Sequence, residues 1–112
     1  MSGISTHVLD LSLGRPAYGI LVRLERERDG LWQRISQQQT DEDGRIRNLQ
    51  ADVVLGSGRY RLGFETGPYF RAQGINCFHP YIEIAFEVTD LAQNYHVPLL
   101  VTPHSYSTYR GS

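Results

Sequence analysis

Histidine, arginine and hydroxyl side chains supply most of the chemistry available to this chain. It has four histidines, His7, His79, His96 and His104, and all 11 of its basic residues are arginine. Without lysine, Schiff-base catalysis is excluded, and so is the phosphate loop of nucleotide hydrolases, which needs a lysine after its glycines. The single cysteine, Cys77, excludes an internal disulfide, a CxxC redox pair and a cysteine-rich zinc site. Acid–base chemistry at neutral pH must therefore come chiefly from the histidines.

No local catalytic motif joins these residues. The patterns HExxH, GxSxG and GxGxxG do not occur, so an active site must be assembled from residues far apart in the sequence. Alternation of apolar and polar residues picks out three candidates. His7 shares one face of a predicted strand with Leu9 and Leu11. His96 lies opposite the apolar face of another strand, and Arg45 opens a strand after a polar turn.

The elements that must position these side chains are predicted to be strands. Alternating segments recur at intervals of about ten residues and are separated by turn residues, a pattern typical of an all-β sandwich or barrel. About eight strands are predicted, over residues 7–12, 20–28, 31–39, 45–47, 59–66, 81–88, 95–102 and 105–110. A short helix is predicted between Thr66-Gly67-Pro68 and Gly74, since proline suits the first helical turn and glycine a left-handed end. The serine-rich stretch 105–112 is open to three interpretations, namely an edge strand, a frayed terminus or a ligand surface.

The same alternation predicts the core and one tight turn. Asp29-Gly30 is a hairpin signal of the type whose two central residues take positive φ. The side chains expected to face inward are Ile20, Val22 and Leu24 in one strand and Tyr60, Leu62 and Phe64 in another.

Charge and hydropathy exclude two classes of partner. The net charge is −1, and arginines alternate with acidic residues over 23–28, so no basic surface for nucleic acid is expected. The longest apolar runs, such as 97–101, are far short of the roughly 20 residues that span a bilayer. Residues 1–10 lack the features of a secretory signal, so we expect a cytoplasmic protein of one domain, 1–112.

Two separated segments resemble a known family. Residues 5–10, Ser-Thr-His-Val-Leu-Asp, followed by Gly14-Arg15-Pro16-Ala17, resemble the first signature of the transthyretin-like family. Residues 95–112 resemble the second signature, and 59–62 and 70–74 resemble the strand and short helix between them. This resemblance covers essentially the whole chain. It implies a transthyretin-like (prealbumin) β-sandwich of two sheets with one short helix.

Within that family, the last four residues favour an enzyme. Thyroid-hormone carriers lack a terminal Tyr-Arg-Gly-Ser, whereas members that hydrolyse 5-hydroxyisourate end on it, as this chain does at 109–112. The resemblance therefore implies metal-free hydrolysis of a ring amide of 5-hydroxyisourate, with no cofactor, to give 2-oxo-4-hydroxy-4-carboxy-5-ureidoimidazoline. The alternative is a small-molecule carrier without catalysis. A non-enzymatic interaction module would explain the strands but would leave the motif residues as coincidence.

The family's functional residues match this sequence one by one. The resemblance assigns catalysis to His7, Arg45, His96 and Ser112, and substrate binding to His7, Arg45, Tyr109, Arg110 and Gly111. In this scheme one of the two histidines is the base that activates water and the other orients that base, and either His7 or His96 could be the base. Arg45 stabilises the oxyanion. Ser112 acts as a hydrogen-bond partner or, less expectedly, as a nucleophile. Asp41 departs from the family, since relatives often have asparagine there.

The remaining features have structural interpretations. His79 and His104 adjoin prolines at turns and are expected to be structural or solvated, with no metal site. Cys77 is expected to be a small, partly buried filler. Because sheets of a sandwich leave edges that must be paired or capped, and because relatives pair theirs, we expect a homotetramer, a dimer of dimers. The resemblance places the active sites at the dimer–dimer interface.

Overall fold

A computed structural model describes residues 3–112 of the chain. Over these residues it contains nine strands and one helix. In chain order they are β1 (Ile4–Asp10), β2 (Arg15–Pro16), β3 (Leu21–Arg28), β4 (Leu31–Gln39), β5 (Arg45–Ile46), β6 (Gly58–Phe64), α1 (Thr66–Arg71), β7 (Ile82–Val88), β8 (Tyr95–Val101) and β9 (Tyr106–Thr108). Within residues 3–112, no helix has the length and apolar character needed to cross a membrane.

The strands form two sheets, which confirms the all-β prediction. The first sheet has the order β2-β1-β8-β9, and β5 also pairs with β1. The second has the order β4-β3-β6-β7. Strands β1 and β8 are parallel, and the other pairs are antiparallel. The sequence predicted only a break at 14–16, but residues 15 and 16 turn back and pair with Asp10 and Leu9 of β1.

Apolar side chains from the inner faces of both sheets make the core. The fully buried set includes Ile4, Val8 and Leu99 from the first sheet and the six predicted residues Ile20, Val22, Leu24, Tyr60, Leu62 and Phe64. Helix α1 adds Phe70 to this cluster. The period-2 pattern therefore predicted the core correctly, because successive strand residues point to opposite faces of a sheet.

Of the eight predicted strands, only 31–39 has the same bounds in the structure, and two of the differences lie close to the candidate residues. Strand β1 begins before the predicted 7–12 and ends at Asp10. The Asp10 carboxylate Oδ1 accepts hydrogen bonds from the backbone N–H groups of Ser12, at 2.9 Å, and Leu13, at 3.3 Å. These bonds fold the chain into a turn after β1. The last strand covers only Tyr106–Thr108 of the predicted 105–110. After it, Gly111 forms an isolated bridge with His96.

The Asp29-Gly30 hairpin has the predicted geometry. Both residues have positive φ, 53° and 77°, as a type I′ turn requires. This turn joins β3 and β4, whose pairing runs from Leu21 opposite Gln39 to Arg28 opposite Leu31. The two longest strands of the second sheet are thereby held in register.

The outer face of the first sheet gathers the candidate residues. In the parallel pair of β1 and β8, Ser5 lies opposite His96. In the antiparallel pair of β1 and β5, His7 lies opposite Arg45. Residues on the inner face, such as Val8, are buried, whereas Ser5, His7 and His96 are half-buried. Both histidines therefore point away from the core, although the sequence pattern had placed only His96 opposite an apolar face.

Candidate active site

His96, Arg45 and Ser112 border one cavity on the outer face of the first sheet. Its volume is about 350 Å³, and its other polar lining residues include Ser5, Arg47 and Asn94. We call it the His96 cavity. His7 is not among its lining residues but adjoins it through the pairing of its strand with Arg45. Strand pairing thus assembles three of the predicted catalytic residues from positions 45, 96 and 112 of the sequence.

A rigid turn holds Arg45 beside β1. The carboxylate Oδ1 of Asp41 accepts the backbone N–H groups of Asp43 and Arg45, both at 2.9 Å. Gly44 has φ of +75°, and a Cβ there would lie 2.4 Å from the carbonyl oxygen of Val8. The backbone N–H of Val8 donates to the Gly44 carbonyl at 2.8 Å. The turn therefore packs directly on β1, and this close approach requires glycine.

The His96 ring is held between a serine and a glycine. The Oγ of Ser5 lies 2.8 Å from Nδ1 of His96, within hydrogen-bond distance. On another side, a Cβ built on Gly111 would lie 2.5 Å from Cδ2 of the His96 ring. The backbone N–H of Gly111 donates to the His96 carbonyl at 2.8 Å, which keeps the two residues together. The imidazole is therefore oriented before any substrate arrives.

The last residues are pinned to the sheet. The Arg110 guanidinium lies 4.5 Å from the centre of the Tyr95 ring, and its Nη2 donates to Oε1 of Gln93 at 2.7 Å. Tyr109 is 60% exposed, and Ser112 lines the His96 cavity. Of the three interpretations of 105–112, the edge strand holds for 106–108, and the bridge at Gly111 argues against a frayed terminus. Tyr109 and Arg110 border neighbouring cavities, and their assignment to substrate stays a prediction.

Burial and a nearby cation lower the pKa of both histidines. Burial lowers the pKa of His7 below its usual 6.5, and the positive charge of Arg45 lowers it further. The backbone of Asp43 and the carboxylates of Asp43 and Asp41 oppose this shift without cancelling it. Burial also lowers the pKa of His96, followed by the charges of Arg45 and His7. A neutral imidazole beside a permanent cation can accept a proton from water while the cation stabilises an anion.

Sequence reasoning did not single out three residues at this site. Ser5, Arg47 and Asn94 line the His96 cavity, and none was a candidate. One signal for Ser5 was present, because residues two apart on a strand share a face and Ser5 is two before His7. Arg47 carries no such signal, since its ion pair with Asp41, at 3.2 Å, depends on the conformation of the turn.

The other polar candidates lie elsewhere. His79 packs edge-on against Phe78 and Tyr106, with ring centres 4.9 and 5.2 Å away. Cys77 is partly buried against the core, as predicted. Within residues 3–112, no three His, Cys, Asp or Glu side chains are grouped closely enough to hold a metal ion.

A larger cavity is separate from the histidines. It has a volume of about 850 Å³ and lies beside α1 and β2, where Arg15, Tyr18 and Tyr69 are among its lining residues. We assign the chemistry to the smaller His96 cavity, because it combines the His96 imidazole, the Arg45 guanidinium and the Ser112 hydroxyl, whereas the larger cavity has no histidine among its lining residues.

Comparisons with known proteins find relatives over the whole length of the chain. The model of the HIUase/Transthyretin family matches residues 4–111. A 5-hydroxyisourate hydrolase of Caulobacter vibrioides is 46% identical over 116 aligned residues, covering 100% of both chains. The structure of Klebsiella pneumoniae 5-hydroxyisourate hydrolase superposes with a TM-score of 0.88 at 38% identity, covering 100% of both chains. Sea bream transthyretin in complex with thyroxine superposes with a TM-score of 0.90 at 31% identity, covering 96% of this chain and 93% of that one.

Proposed function

The chain belongs to the HIUase/transthyretin family, and from this premise we propose that it is a 5-hydroxyisourate hydrolase, a cyclic amide hydrolase of urate degradation. The fold alone does not separate this activity from hormone binding, since hydrolase and transthyretin structures superpose almost equally well. The observation that carries the proposal is the placement of two imidazoles beside Arg45 on one outer sheet face, with His7 opposite Arg45 and His96 lining the same cavity as Arg45. A carrier needs neither a base nor an oxyanion partner.

The reaction follows from the roles of these groups. A neutral imidazole of His7 or His96 takes a proton from water, and the hydroxide oxygen bonds to the carbonyl carbon of the ring amide. The carbonyl oxygen becomes an oxyanion, which the guanidinium of Arg45 stabilises. The carbon–nitrogen bond then breaks, and the imidazolium returns its proton to the leaving nitrogen. The ring is opened to a carboxylic acid, and the enzyme ends in its starting state.

The guanidinium of Arg45 suits a flat heterocycle better than a compact charged group, such as an ammonium, would. Its planar guanidinium presents several N–H donors in one plane, which matches the edge of a purine-like ring. Around it, Asn94 and Ser112 add an amide and a hydroxyl to the His96 cavity. We assign these polar groups, with Tyr109 and Arg110, to substrate binding.

We further propose that the protein is a homotetramer built as a dimer of dimers. Strand β7 ends the second sheet, and β9 ends the first. Such edge strands carry unpaired backbone groups that a second copy can pair. The candidate site on the outer sheet face would then lie where two dimers meet. Light scattering across a dilution series tests this, since a fully active monomer would contradict it.

The activity is tested by following 5-hydroxyisourate, made from urate with urate oxidase, through its ultraviolet decay with and without the protein. We expect the protein to accelerate the decay and Arg45→Ala to lower kcat about 10²- to 10³-fold, as for other lost oxyanion partners. Arg59→Ala is the matched control, because this arginine is on the second sheet with its side chain 64% exposed. It should leave kcat unchanged.

The two possible failures are distinguishable. No acceleration by the unsubstituted protein would refute the proposed activity. Acceleration that Arg45→Ala leaves intact would refute only the role of Arg45. Binding of thyroxine without any hydrolysis would favour the carrier instead.

A further inference from the structure

Ser5 makes a hydrogen bond that the mechanism above does not use. Its Oγ lies 2.8 Å from Nδ1 of His96 although the two residues are 91 positions apart. The contact follows from the parallel register of β1 and β8, which sets Ser5 directly opposite His96. Alternation along β1 turns Ser5 to the same outer face as His7. Its hydroxyl therefore lies on the face that carries the His96 ring.

The two nitrogens of a neutral imidazole have different roles. One carries the proton and donates, and the other has a free electron pair and accepts. In His96, Nδ1 is occupied by the Ser5 hydroxyl, so Nε2 is the nitrogen left for a water molecule. For Nε2 to act as a base it must carry no proton. The proton then belongs on Nδ1, and Ser5 must accept it as a hydrogen bond.

We propose that Ser5 is a positioning residue that holds His96 in the Nδ1–H tautomer and thereby makes Nε2 of His96 the base. This inference rests on the proposed hydrolase function. Ser5 occupies the place that a carboxylate holds in the serine-protease triad. A hydroxyl can donate as well as accept, so in this role Ser5 accepts from Nδ1–H and directs its own proton away from the ring. Gly111, packed against Cδ2 of the same ring, restricts the ring from a different side.

A hydroxyl differs from a carboxylate in one respect that suits this site. A carboxylate beside the ring would favour the imidazolium and raise its pKa. The serine is uncharged, so it orients the ring without adding that attraction. His96 can therefore stay neutral beside Arg45 at pH 7. When Nε2 takes a proton from water, Nδ1–H remains bonded to Ser5, and no other group has to move.

The test measures the tautomer and the activity separately. Nitrogen-15 NMR of histidine-labelled protein, with the His96 signals assigned from a His96→Asn variant, reports which ring nitrogen carries the proton. We expect Nδ1–H in the unsubstituted protein and a substantial Nε2–H population in Ser5→Ala. The kcat of Ser5→Ala should fall about 10- to 100-fold, as for other lost orienting partners, with little change in KM. Ser5→Thr keeps the hydroxyl and should restore both the tautomer and kcat.

Ser36→Ala is the matched control. It removes the same atom from a half-buried serine of β4 whose hydroxyl donates to the Leu49 carbonyl and not to a histidine. It should leave the His96 tautomer and kcat unchanged. An unaltered tautomer in Ser5→Ala overturns the inference, whether or not kcat falls, and so does a Ser5→Thr variant as slow as Ser5→Ala. A protein without hydrolase activity would refute the proposed function, while the tautomer measurement would still stand.

Discussion

Replacing Gly111 with alanine should disable the site while leaving the fold intact. The new Cβ would lie 2.5 Å from Cδ2, 3.2 Å from Cγ and 3.3 Å from Cβ of His96. Ordinary carbon–carbon contacts lie at about 3.5 to 4.0 Å, so the His96 ring or the terminal segment must move by about 1 Å. The backbone bond from Gly111 to the His96 carbonyl, at 2.8 Å, opposes a retreat of the terminal segment. The ring of the proposed base is therefore expected to shift.

The size of the effect follows from that shift. A misplacement of about 1 Å of a reacting group costs about 10²-fold in rate. We therefore expect kcat of Gly111→Ala to fall about 10²-fold. The thermal midpoint should change little, because Gly111 lies near the end of the chain, beyond the last strand, and has no positive φ that alanine would strain. The steady-state ultraviolet assay gives kcat and KM, and circular dichroism gives the midpoint.

Gly74→Ala provides the opposite control. Gly74 follows α1 with φ of +73°, and a Cβ there would meet nothing within 4 Å. Alanine in that left-handed conformation costs about 1 to 2 kcal/mol, so this variant should melt several degrees lower with unchanged kcat. Gly111→Ala with the kcat of the unsubstituted protein would refute the idea that close packing on Gly111 positions His96.

Four further outcomes are expected. In a pH profile, kcat/KM should be constant near neutrality and fall as the pH drops below 6.5, through the lowered pKa of the base. Because the unfolded chain binds these protons at a higher pH than the folded one, the free energy of unfolding should also decrease below pH 6.5. In Arg45→Ala, NMR titration should show the pKa of both His7 and His96 raised, because the cation that lowers both is removed. Tyr69→Phe removes a 2.8 Å hydrogen bond to the fully buried Asp10. It should lower the free energy of unfolding, measured by urea denaturation, by about 2 kcal/mol. An unchanged denaturation midpoint would show that this bond is energetically neutral.

Most of the architecture was predictable because it depends on local patterns. Period-2 alternation identified the strands and the inward faces, and the core residues Leu24 and Tyr60 are fully buried as predicted. The dipeptide Asp29-Gly30 was sufficient to predict the type I′ hairpin. The pairing of residues 15–16 with β1 was missed, since two residues are too few to show any alternation.

The site was predictable only in part. His7, Arg45 and His96 came from the resemblance to the transthyretin-like family, and alternation by itself had left each of them undecided. Their neighbours Ser5 and Asn94 were missed: Ser5 shares a strand face with His7, but that alternation does not show that it contacts His96, and nothing local distinguishes Asn94 from other polar residues. The strand register that sets Ser5 opposite His96 joins positions 91 residues apart. A single sequence does not show which of its distant residues are paired.

The sequence by itself determined the chemical inventory and the all-β class, and its resemblance to the transthyretin-like family implied the two-sheet sandwich. It excluded lysine and disulfide chemistry, and its alternation placed apolar residues in the core, because a strand exposes successive side chains on opposite faces. Tertiary structure decided which polar residues share one outer face and how they are protonated. The parallel pairing of β1 with β8 and the docking of the 41–45 turn bring Arg45 close enough to lower the pKa of both histidines. Distance and burial govern that electrostatic effect, and both exist only once the chain has folded.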